Sequence, residues 1–362
     1  MRVIIAGGGT GGHLFPAIAV GEELKRQFPD IELLHVGASN GIEAKWFPRN
    51  NIRYELLDVH GLTGKDALAR LKALGEFLSA INRARMLLKT FRPELVVGTG
   101  GYSAAPTAMA AILSRVPLVI LEQNVRPGLA NRLLGRFARK ICVGFAESAG
   151  GFGRGNIEIT GNPVRFAIPP RLQHQPHEPF QILVLGGSTG AHRLNIAALN
   201  AFVICRKHVI KINVVHQTGE ADVGLVSEGY QKLGCSARVL SFIDDIGRSL
   251  ELTDLVVARS GAMTVSEVAL AGRAAIFVPY PFHRDRQQEF NARVLERRGG
   301  ARIVADDDHC GENLARELYE LTSDPPRLVA MGQRAHEAAM PEAAEKIARI
   351  CFEVMQPEQT VA

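Results

Sequence analysis

The chain opens with Val3-Ile4-Ile5-Ala6 followed by Gly7-Gly8-Gly9-Thr10-Gly11-Gly12-His13, an apolar strand pattern that runs into a glycine-rich turn. The same device returns at mid-chain as Ile182-Leu183-Val184-Leu185 followed by Gly186-Gly187-Ser188-Thr189-Gly190-Ala191-His192. The two turns lie 179 residues apart and agree at five of seven positions. A glycine-rich turn between a strand and a helix lets backbone N–H groups approach a phosphate. We therefore predict two similar domains, each with a turn suited to phosphate.

One such turn alone would also suit a nicotinamide dehydrogenase, with Glu32 about where a ribose-binding acid lies. The first turn, however, is crowded with glycine and ends in His13, and two matching turns would be unusual in an enzyme with one cofactor. Chance similarity between the turns stays open as well, because the fold itself favours glycine there.

Short apolar runs alternate with helical patterns through both halves of the chain. Such runs are typical of strands in a parallel sheet that helices cover on both faces. The predicted strands span residues 3–6, 32–36, 95–97, 117–121 and 141–143, then 182–185, 212–216, 238–242, 255–258 and 274–278. The predicted fold class is α/β, with two Rossmann-like, doubly wound parallel-sheet domains facing a cleft. Ligands of such domains bind beyond the carboxyl ends of the strands.

A proline-dense segment separates the halves, with five prolines between residues 163 and 179. Such a segment is typical of a linker. We predict an N-terminal domain over residues 1–163 and a C-terminal domain over residues 164–340. Residues 341–362 are predicted to form a helical tail that packs back towards the N-terminal domain.

Composition excludes several classes of protein. The 362 residues are 46% hydrophobic and 22% charged, which is ordinary for a globular protein and unlike a disordered chain. No stretch approaches the ~18 apolar residues of a membrane span. The first apolar run ends at Gly7, too soon for a signal peptide, so we expect a cytoplasmic chain. Five dispersed cysteines predict neither a disulfide framework nor a zinc site.

The net charge of +5 is unevenly distributed. Residues 61–92 and 126–140 together carry twelve basic and two acidic side chains, which leaves −5 for the rest of the chain. A basic surface of this kind suits nucleic acid, anionic lipid or a phosphorylated substrate. Stacking aromatics are few in both segments, so nucleic acid is not expected as a partner.

The first basic segment has the pattern of an amphipathic helix. Its leucines, isoleucine and phenylalanine recur every three or four residues between basic side chains, which is typical of a helix that lies on a membrane surface. An ordinary helix that packs its apolar face on the core has the same pattern. The membrane-docking candidates are Lys65, Arg70, Lys72, Leu74, Phe77 and Leu78.

Two polar turns follow predicted strands in the second half. In Arg259-Ser260-Gly261-Ala262-Met263-Thr264, Ser260 is predicted to cap a helix whose first N–H groups could face phosphate. Asp285-Arg286-Gln287-Gln288-Glu289 opens another helix, and its amides suit sugar hydroxyls because glutamine both donates and accepts. The adjacent pair Asp244-Asp245 is predicted to form a turn or cap, and no metal site is predicted.

Seven ordered motifs now point to one family. They are GGGTGGH (7–13), EQN (122–124), GNPVR (161–165), GGSTGA (186–191), FIDD (242–245), RSGAMTVSE (259–267) and DRQQ (285–288). Together they resemble the MurG family of bacterial N-acetylglucosaminyltransferases from residue 3 to about residue 300, and the tail is less similar. Thr189 stands where many relatives have glutamine, a departure that leaves the phosphate-facing backbone in place.

The resemblance implies a GT-B fold and an inverting transfer of N-acetylglucosamine from UDP-N-acetylglucosamine to the 4-hydroxyl of the N-acetylmuramyl sugar of lipid I. The product would be lipid II for peptidoglycan, a link to cell shape and division. No cofactor or metal is implied. The implied partners are the donor, the polyprenyl-linked acceptor, an anionic membrane surface and other cell-wall synthesis proteins. The implied location is peripheral, on the cytoplasmic face of the inner membrane.

Roles for individual residues follow from the same resemblance. His13 is the candidate general base; the alternative is that it only binds the acceptor pyrophosphate or caps the turn. Ser188 and two helix starts would stabilise the leaving pyrophosphate. Arg165 and the backbone at Ile243 would contact the nucleotide, and Glu267 would accept both ribose hydroxyls. The residues implied at the donor sugar are Thr10, Gly11, Gly12, Asn124, Gln287 and Gln288.

Two other functions remain compatible with the same scaffold. A UDP-N-acetylglucosamine epimerase also pairs two Rossmann-like domains and would convert the donor without an acceptor. A non-catalytic sugar-nucleotide sensor would bind the donor without consuming it.

Overall fold

The structure is a computed structural model that describes residues 1–59, 67–153, 155–166, 176–187, 190–205, 211–283 and 285–356, without the side chains of residues 67–73. The chain forms two compact units. The N-terminal unit comprises Met1–Arg165 together with Pro341–Ala362, and the C-terminal unit comprises Phe166–Met340.

The N-terminal unit is built on a parallel sheet. Its strands are β1 (Arg2–Ala6), β2 (Glu32–Ala38), β3 (Tyr54–Leu57), β4 (Leu95–Gly98), β5 (Leu118–Glu122), β6 (Lys140–Val143) and β7 (Ile157–Ile159). Its helices are α1 (Gly11–Gln27), α2 (Glu43–Arg49), α3 (Ala67–Phe91), α4 (Ala104–Leu113), α5 (Leu129–Leu134) and, from the end of the chain, α13 (Ala343–Met355). The strand order is β3-β2-β1-β4-β5-β6-β7, which is the order of a doubly wound fold.

Central strand β1 shows why its sequence is uninterruptedly apolar. Val3 and Ile5 face one core cluster, which contains residues of α1 and α13, whereas Ile4 and Ala6 face the other, which contains residues of α3 and α4. Both faces of the strand are therefore buried, and a polar side chain on either face would lower the stability of the fold. Helix α13 packs on α1, where the rings of Phe28 and Phe352 stack with centroids 4.5 Å apart.

The C-terminal unit repeats this plan. Its strands are β8 (Phe180–Leu185), β9 (Ile212–Gln217), β10 (Ser236–Leu240), β11 (Leu255–Ala258), β12 (Ala274–Phe277) and β13 (Ala301–Ile303). Its helices are α6 (His192–Cys205), α7 (Val223–Leu233), α8 (Ile246–Glu251), α9 (Ala262–Ala271), α10 (Gln287–Glu296), α11 (Cys310–Thr322) and α12 (Pro325–His336). The parallel sheet has the order β10-β9-β8-β11-β12-β13. The predicted α/β class with two doubly wound sheets is thus confirmed.

Three strands were not predicted, and one prediction was displaced. The N-terminal sheet also contains β3 and β7, and the C-terminal sheet also contains β13. Strand β10 begins and ends two residues before the predicted span 238–242. All four lie at the edge of a sheet. Asp245, predicted to be a turn or cap residue, caps α8 by accepting a hydrogen bond from the N–H of Arg248 at 2.8 Å.

Candidate active site

In the N-terminal unit the strand order reverses between β1 and β4, and the turns after these two strands lie side by side. The first is the glycine turn that leads into α1, and the second runs from Thr99 to Ser103 before α4. A switch point of this kind is where doubly wound sheets bind ligands. Thr10 and Gly12 are exposed there, whereas Gly11 is buried.

His13, in the first turn of α1, is held at this switch point by its Nδ1 atom. Nδ1 lies 3.0 Å from the carbonyl oxygen of Thr99 and 3.2 Å from Oε1 of Gln123. Gln123 donates its own amide to the same Thr99 carbonyl at 3.0 Å, which fixes its Oε1 towards the ring. Both partners are acceptors, so Nδ1 carries the proton and neutral His13 has its lone pair on Nε2. A base role for His13 stays a prediction, but the ring has the tautomer that such a role needs.

The turn after β4 approaches His13 closely, and sequence reasoning missed it. Gly100 and Gly101 have φ values of +92° and +80°. A Cβ atom would lie 2.9 Å from Nδ1 of His13 at Gly100, and 2.5 Å from the Gly8 carbonyl at Gly101. Only glycine fits both positions. A glycine pair directly after a buried strand is the same signal that marked the first turn, so it was available in the sequence.

A buried carboxylate, Glu43, anchors the first glycine turn and was also missed. It is 0% exposed and accepts hydrogen bonds from the N–H of Gly9 at 2.8 and 2.9 Å and of Ala38 at 2.7 Å. Gly8, Gly37 and Gly41 make room for it, since a Cβ at any of them would approach the side chain to 2.4 Å or less. The Gly9 N–H is therefore occupied by the protein's own carboxylate.

The EQN motif forms a second organised corner. Buried Glu122 accepts hydrogen bonds from the backbone and side chain of Asn124 at 3.0 and 3.2 Å, and from Gly128 N and Asn131 Nδ2 at 3.0 and 2.9 Å. Glu122 thus shapes the loop, Gln123 orients His13, and half-buried Asn124 is held in place. The sugar contact implied for Asn124 stays a prediction.

Arg165, implied as a nucleotide contact, has a cation–π contact inside the N-terminal unit. Its Cζ lies 3.9 Å from the ring centroid of Phe15 on α1 and 5.7 Å from that of Trp46 on α2. Such stacking holds the guanidinium group in place on the surface of this unit.

In the C-terminal unit the order reverses between β8 and β11, and the second glycine turn and the turn at Arg259–Gly261 follow these strands. Gly187 has a φ of +86°. Ser188 lies outside the described residues, so its implied phosphate contact stays a prediction. Half-buried Ile243 follows β10, and half-buried Glu267 lies in the second turn of α9.

The predicted cap of α9 was wrong. Gly261, not Ser260, is the N-cap residue. The buried Ser260 hydroxyl instead donates to the carbonyl oxygen of Gln288 at 2.8 Å, so it joins this turn to the start of α10. Oε1 of Gln288 accepts the N–H of Tyr280 at 2.9 Å, which orients the amide, and the sugar contact implied for Gln288 stays a prediction. Gln287, the first residue of α10, is half-buried.

A buried histidine of β9, His216, contacts side chains of α6 and α7 and gives a pH prediction. His216 is 0% exposed; its Nε2 donates to Asn195 Oδ1 at 3.0 Å and its Nδ1 accepts from the Tyr230 hydroxyl at 2.9 Å. Burial lowers the pKa of His216 to about 3. In the unfolded chain His216 takes up its proton near pH 6.5, well before it does so in the folded chain. The contribution of His216 to stability is therefore complete above that pH and is lost as the pH falls towards 3.

We expect His216 to remove about 2 kcal/mol of unfolding free energy between pH 7 and pH 5. His216→Gln keeps a donor and an acceptor and should be less stable at pH 7 but less sensitive to acid. Urea unfolding of both proteins at the two pH values measures this. An equal change in the free energy of unfolding between pH 7 and pH 5 in the two proteins would contradict the expectation.

No group of three or more His, Cys, Asp or Glu side chains in the described ranges is arranged to hold a metal ion. Among the residues that the structure describes, no helix has both the length and the apolar character to cross a membrane.

Two doubly wound parallel sheets, each with a glycine turn at its switch point, define a two-domain α/β protein of the GT-B type. Residues 3–143 match the model of the glycosyltransferase family 28 N-terminal domain, and residues 181–347 match that of its C-terminal domain. The chain belongs to glycosyltransferase family 28, so the resemblance seen in the motifs is confirmed.

Two relatives of this chain share one name. The UDP-N-acetylglucosamine–N-acetylmuramyl-(pentapeptide) pyrophosphoryl-undecaprenol N-acetylglucosamine transferase of Geobacter sulfurreducens is 41% identical over 96% of this chain and 97% of its own length. The protein of the same name from Syntrophotalea carbinolica is 38% identical over 98% of this chain and 99% of its own.

Solved structures show the same fold. MurG of Acinetobacter baumannii has a TM-score of 0.77 and 30% identity, covering 97% of this chain and 99% of that one. UDP-GlcNAc 2-epimerase of Neisseria meningitidis has a TM-score of 0.68 at 13% identity, covering 98% and 100%. The second likeness concerns the fold alone and does not favour epimerase chemistry here.

Proposed function

We propose that this protein transfers N-acetylglucosamine from UDP-N-acetylglucosamine to the 4-hydroxyl of the N-acetylmuramyl sugar of lipid I, forming lipid II for peptidoglycan. The observation that carries the proposal is the 41% identity, over 96% of the chain, to a transferase named for this reaction. The orientation of His13 at the first switch point supports it, because the transfer needs a base for the acceptor hydroxyl.

The reaction is proposed as a single displacement that inverts the sugar. Nε2 of His13 takes the proton of the acceptor hydroxyl as that oxygen attacks C1 of the donor sugar, and the bond from C1 to the UDP oxygen breaks. The Nδ1–H group keeps its hydrogen bonds to the Thr99 carbonyl and to Oε1 of Gln123, so two neutral acceptors orient the imidazolium that forms. A positioned base of this kind contributes about 10²–10⁴-fold.

Donor binding is assigned to the turns of the C-terminal unit. Ser188 and the N-terminus of α9 are assigned to the diphosphate, because helix N–H groups favour negative charge without a metal. Glu267 accepts the ribose hydroxyls, Ile243 and Arg165 contact the nucleotide, and Gln287 and Gln288 read the sugar. Asn124 and the turn Thr10–Gly12 complete the sugar site.

We also propose that the N-terminal unit docks on the cytoplasmic face of the inner membrane, since the acceptor carries a lipid tail. Leu74 and Leu78 of α3 are 50% and 55% exposed, whereas Phe77 is half-buried and packs against the core. Lys65 lies outside the described residues, as do the side chains of Arg70 and Lys72.

A second apolar and basic group supports docking. Helix α3 packs on α4 and α4 on α5, and further apolar side chains are exposed at the end of α4, on α5 and just after it. They are Leu113, Leu129, Leu133 and Phe137, the last 65% exposed, among exposed Arg132, Arg136 and Arg139. Apolar insertion and attraction to anionic lipid act together on such a surface.

The docking proposal predicts salt-sensitive binding to anionic vesicles. Each basic residue near the surface contributes ~1 kcal/mol, so reversing Lys65, Arg70 and Lys72 to Glu should reduce vesicle binding by at least about tenfold. Reversal of Arg132 and Arg136 should act similarly, while turnover of a short-chain soluble acceptor stays near wild type. Sedimentation with neutral and anionic vesicles measures binding.

Reversal of Lys232 and Arg238, exposed residues of the C-terminal unit, is the matched control and should leave vesicle binding unchanged. Equal binding of the wild type to neutral and anionic vesicles, or no effect of either N-terminal reversal, would refute docking.

Labelled donor, incubated with and without lipid I, tests the reaction itself. Acceptor-dependent formation of lipid II supports the proposal. Conversion of the donor sugar without acceptor would indicate an epimerase, and donor binding without any turnover would indicate a sensor.

A further inference from the structure

The side chain of Gln217, at the end of β9, binds two other segments of the C-terminal unit. Its Oε1 accepts the N–H of Gly187 at 3.0 Å, and its Nε2 donates to the carbonyls of Gly187 and Ser241, each at 3.0 Å. It is 4% exposed. The amide thus uses its oxygen and both hydrogens, which fixes its orientation.

The two segments it joins have different proposed tasks. Gly187 immediately precedes Ser188 in the second glycine turn, and its φ of +86° lies in the left-handed region that favours glycine. Ser241 lies two residues before Ile243, in the segment after β10. We infer that Gln217 is a positioning residue that holds the turn assigned to the diphosphate and the segment assigned to the nucleotide at a fixed spacing; this rests on the proposed donor site.

The absence of charge on the Gln217 side chain supports its positioning role. In the N-terminal unit the N–H of Gly9 is bound by a carboxylate, Glu43, whereas in the C-terminal unit the N–H of Gly187 is bound by a neutral amide. A buried carboxylate beneath a turn would repel a diphosphate through a medium of low dielectric. A neutral amide holds the turn without that repulsion.

Gln217→Glu tests this with little change of shape. The carboxylate still accepts the Gly187 N–H but faces two carbonyl oxygens and adds charge, so we expect the Kd for UDP to rise roughly thirtyfold or more. Gln217→Met adds no charge and should raise the Kd for UDP about fivefold to tenfold. Titration calorimetry with UDP gives these values, and thermal unfolding of each variant shows whether it is folded.

Uridine separates positioning from a merely structural role. Uridine lacks the diphosphate, and its affinity can be measured by displacement of labelled donor. In Gln217→Glu the loss of uridine affinity should be at least about tenfold smaller than the loss of UDP affinity. Gln231→Glu, on the exposed face of α7, is the charge-matched control and should bind both like the wild type.

Wild-type affinity for UDP in Gln217→Glu, or equal losses for UDP and uridine, would overturn the inference. If Gln217→Glu does not fold, Gln217→Met decides: a selective loss for UDP supports the inference and wild-type affinity overturns it. Failure of the wild-type protein to bind UDP would instead overturn the proposed function.

Discussion

Replacing His13 with alanine is expected to lower turnover by about 10²–10⁴-fold, because the acceptor hydroxyl loses the group that takes its proton. Nδ1 is committed to the Thr99 carbonyl, so Nε2 is the atom that the substitution removes from the reaction. Donor affinity should stay near wild type, since the donor contacts are assigned mainly to the other unit. Steady-state kinetics with donor and acceptor varied separately, together with UDP titration, measures both effects.

The repeat supplies a matched control. His192 occupies the corresponding place in the second glycine turn, but its Nδ1 lies 2.9 Å from a carboxylate oxygen of Asp222 and its side chain is largely exposed. His192→Ala should change turnover less than tenfold. A comparably small loss in His13→Ala, with a raised KM for lipid I, would reject the base role and favour the alternative contact with the acceptor pyrophosphate.

The central strands were predictable because burial on both faces leaves a continuous apolar run in the sequence. Three of the four edge strands, β3, β7 and β13, were not predicted. β3 has two exposed residues among its four and β7 has no fully buried residue, so neither carries that run. Their place in the sheet depends on pairing with β2 and β6, which no local pattern records.

The same distinction applies to the site. The glycine turns and the residues near them were found because a phosphate-facing turn needs glycine in a short local pattern. Glu43 and Gln217 were missed because each acts on a distant glycine, 34 and 30 residues away in sequence. In a linear sequence they are an ordinary acidic residue at the start of a helix and an ordinary amide at the end of a strand. Only the assembled sheet brings each beneath its turn.

Glu267 carries the second large expected effect. It lies half-buried on α9, which begins directly after the turn that follows β11 at the switch point. Helices α8, α10 and α12 pack against α9, so the position of the carboxylate is set by a well-supported helix. A carboxylate at this place can accept hydrogen bonds from both ribose hydroxyls of the donor.

Glu267→Ala should therefore weaken UDP binding by about 1.5–3 kcal/mol, the usual range for hydrogen bonds to a charged group, or roughly 10- to 150-fold in Kd. Calorimetric titration gives this value, and 2′-deoxy-UDP provides the matched ligand. If the carboxylate binds the ribose, removing the 2′-hydroxyl should weaken binding to the wild type but change binding to Glu267→Ala much less, because the partner of that hydroxyl is already gone. Glu267→Gln, which keeps an acceptor but not the charge, should lie between the two. An unchanged Kd in Glu267→Ala, or an equal penalty for the deoxy ligand in both proteins, would remove Glu267 from the ribose site.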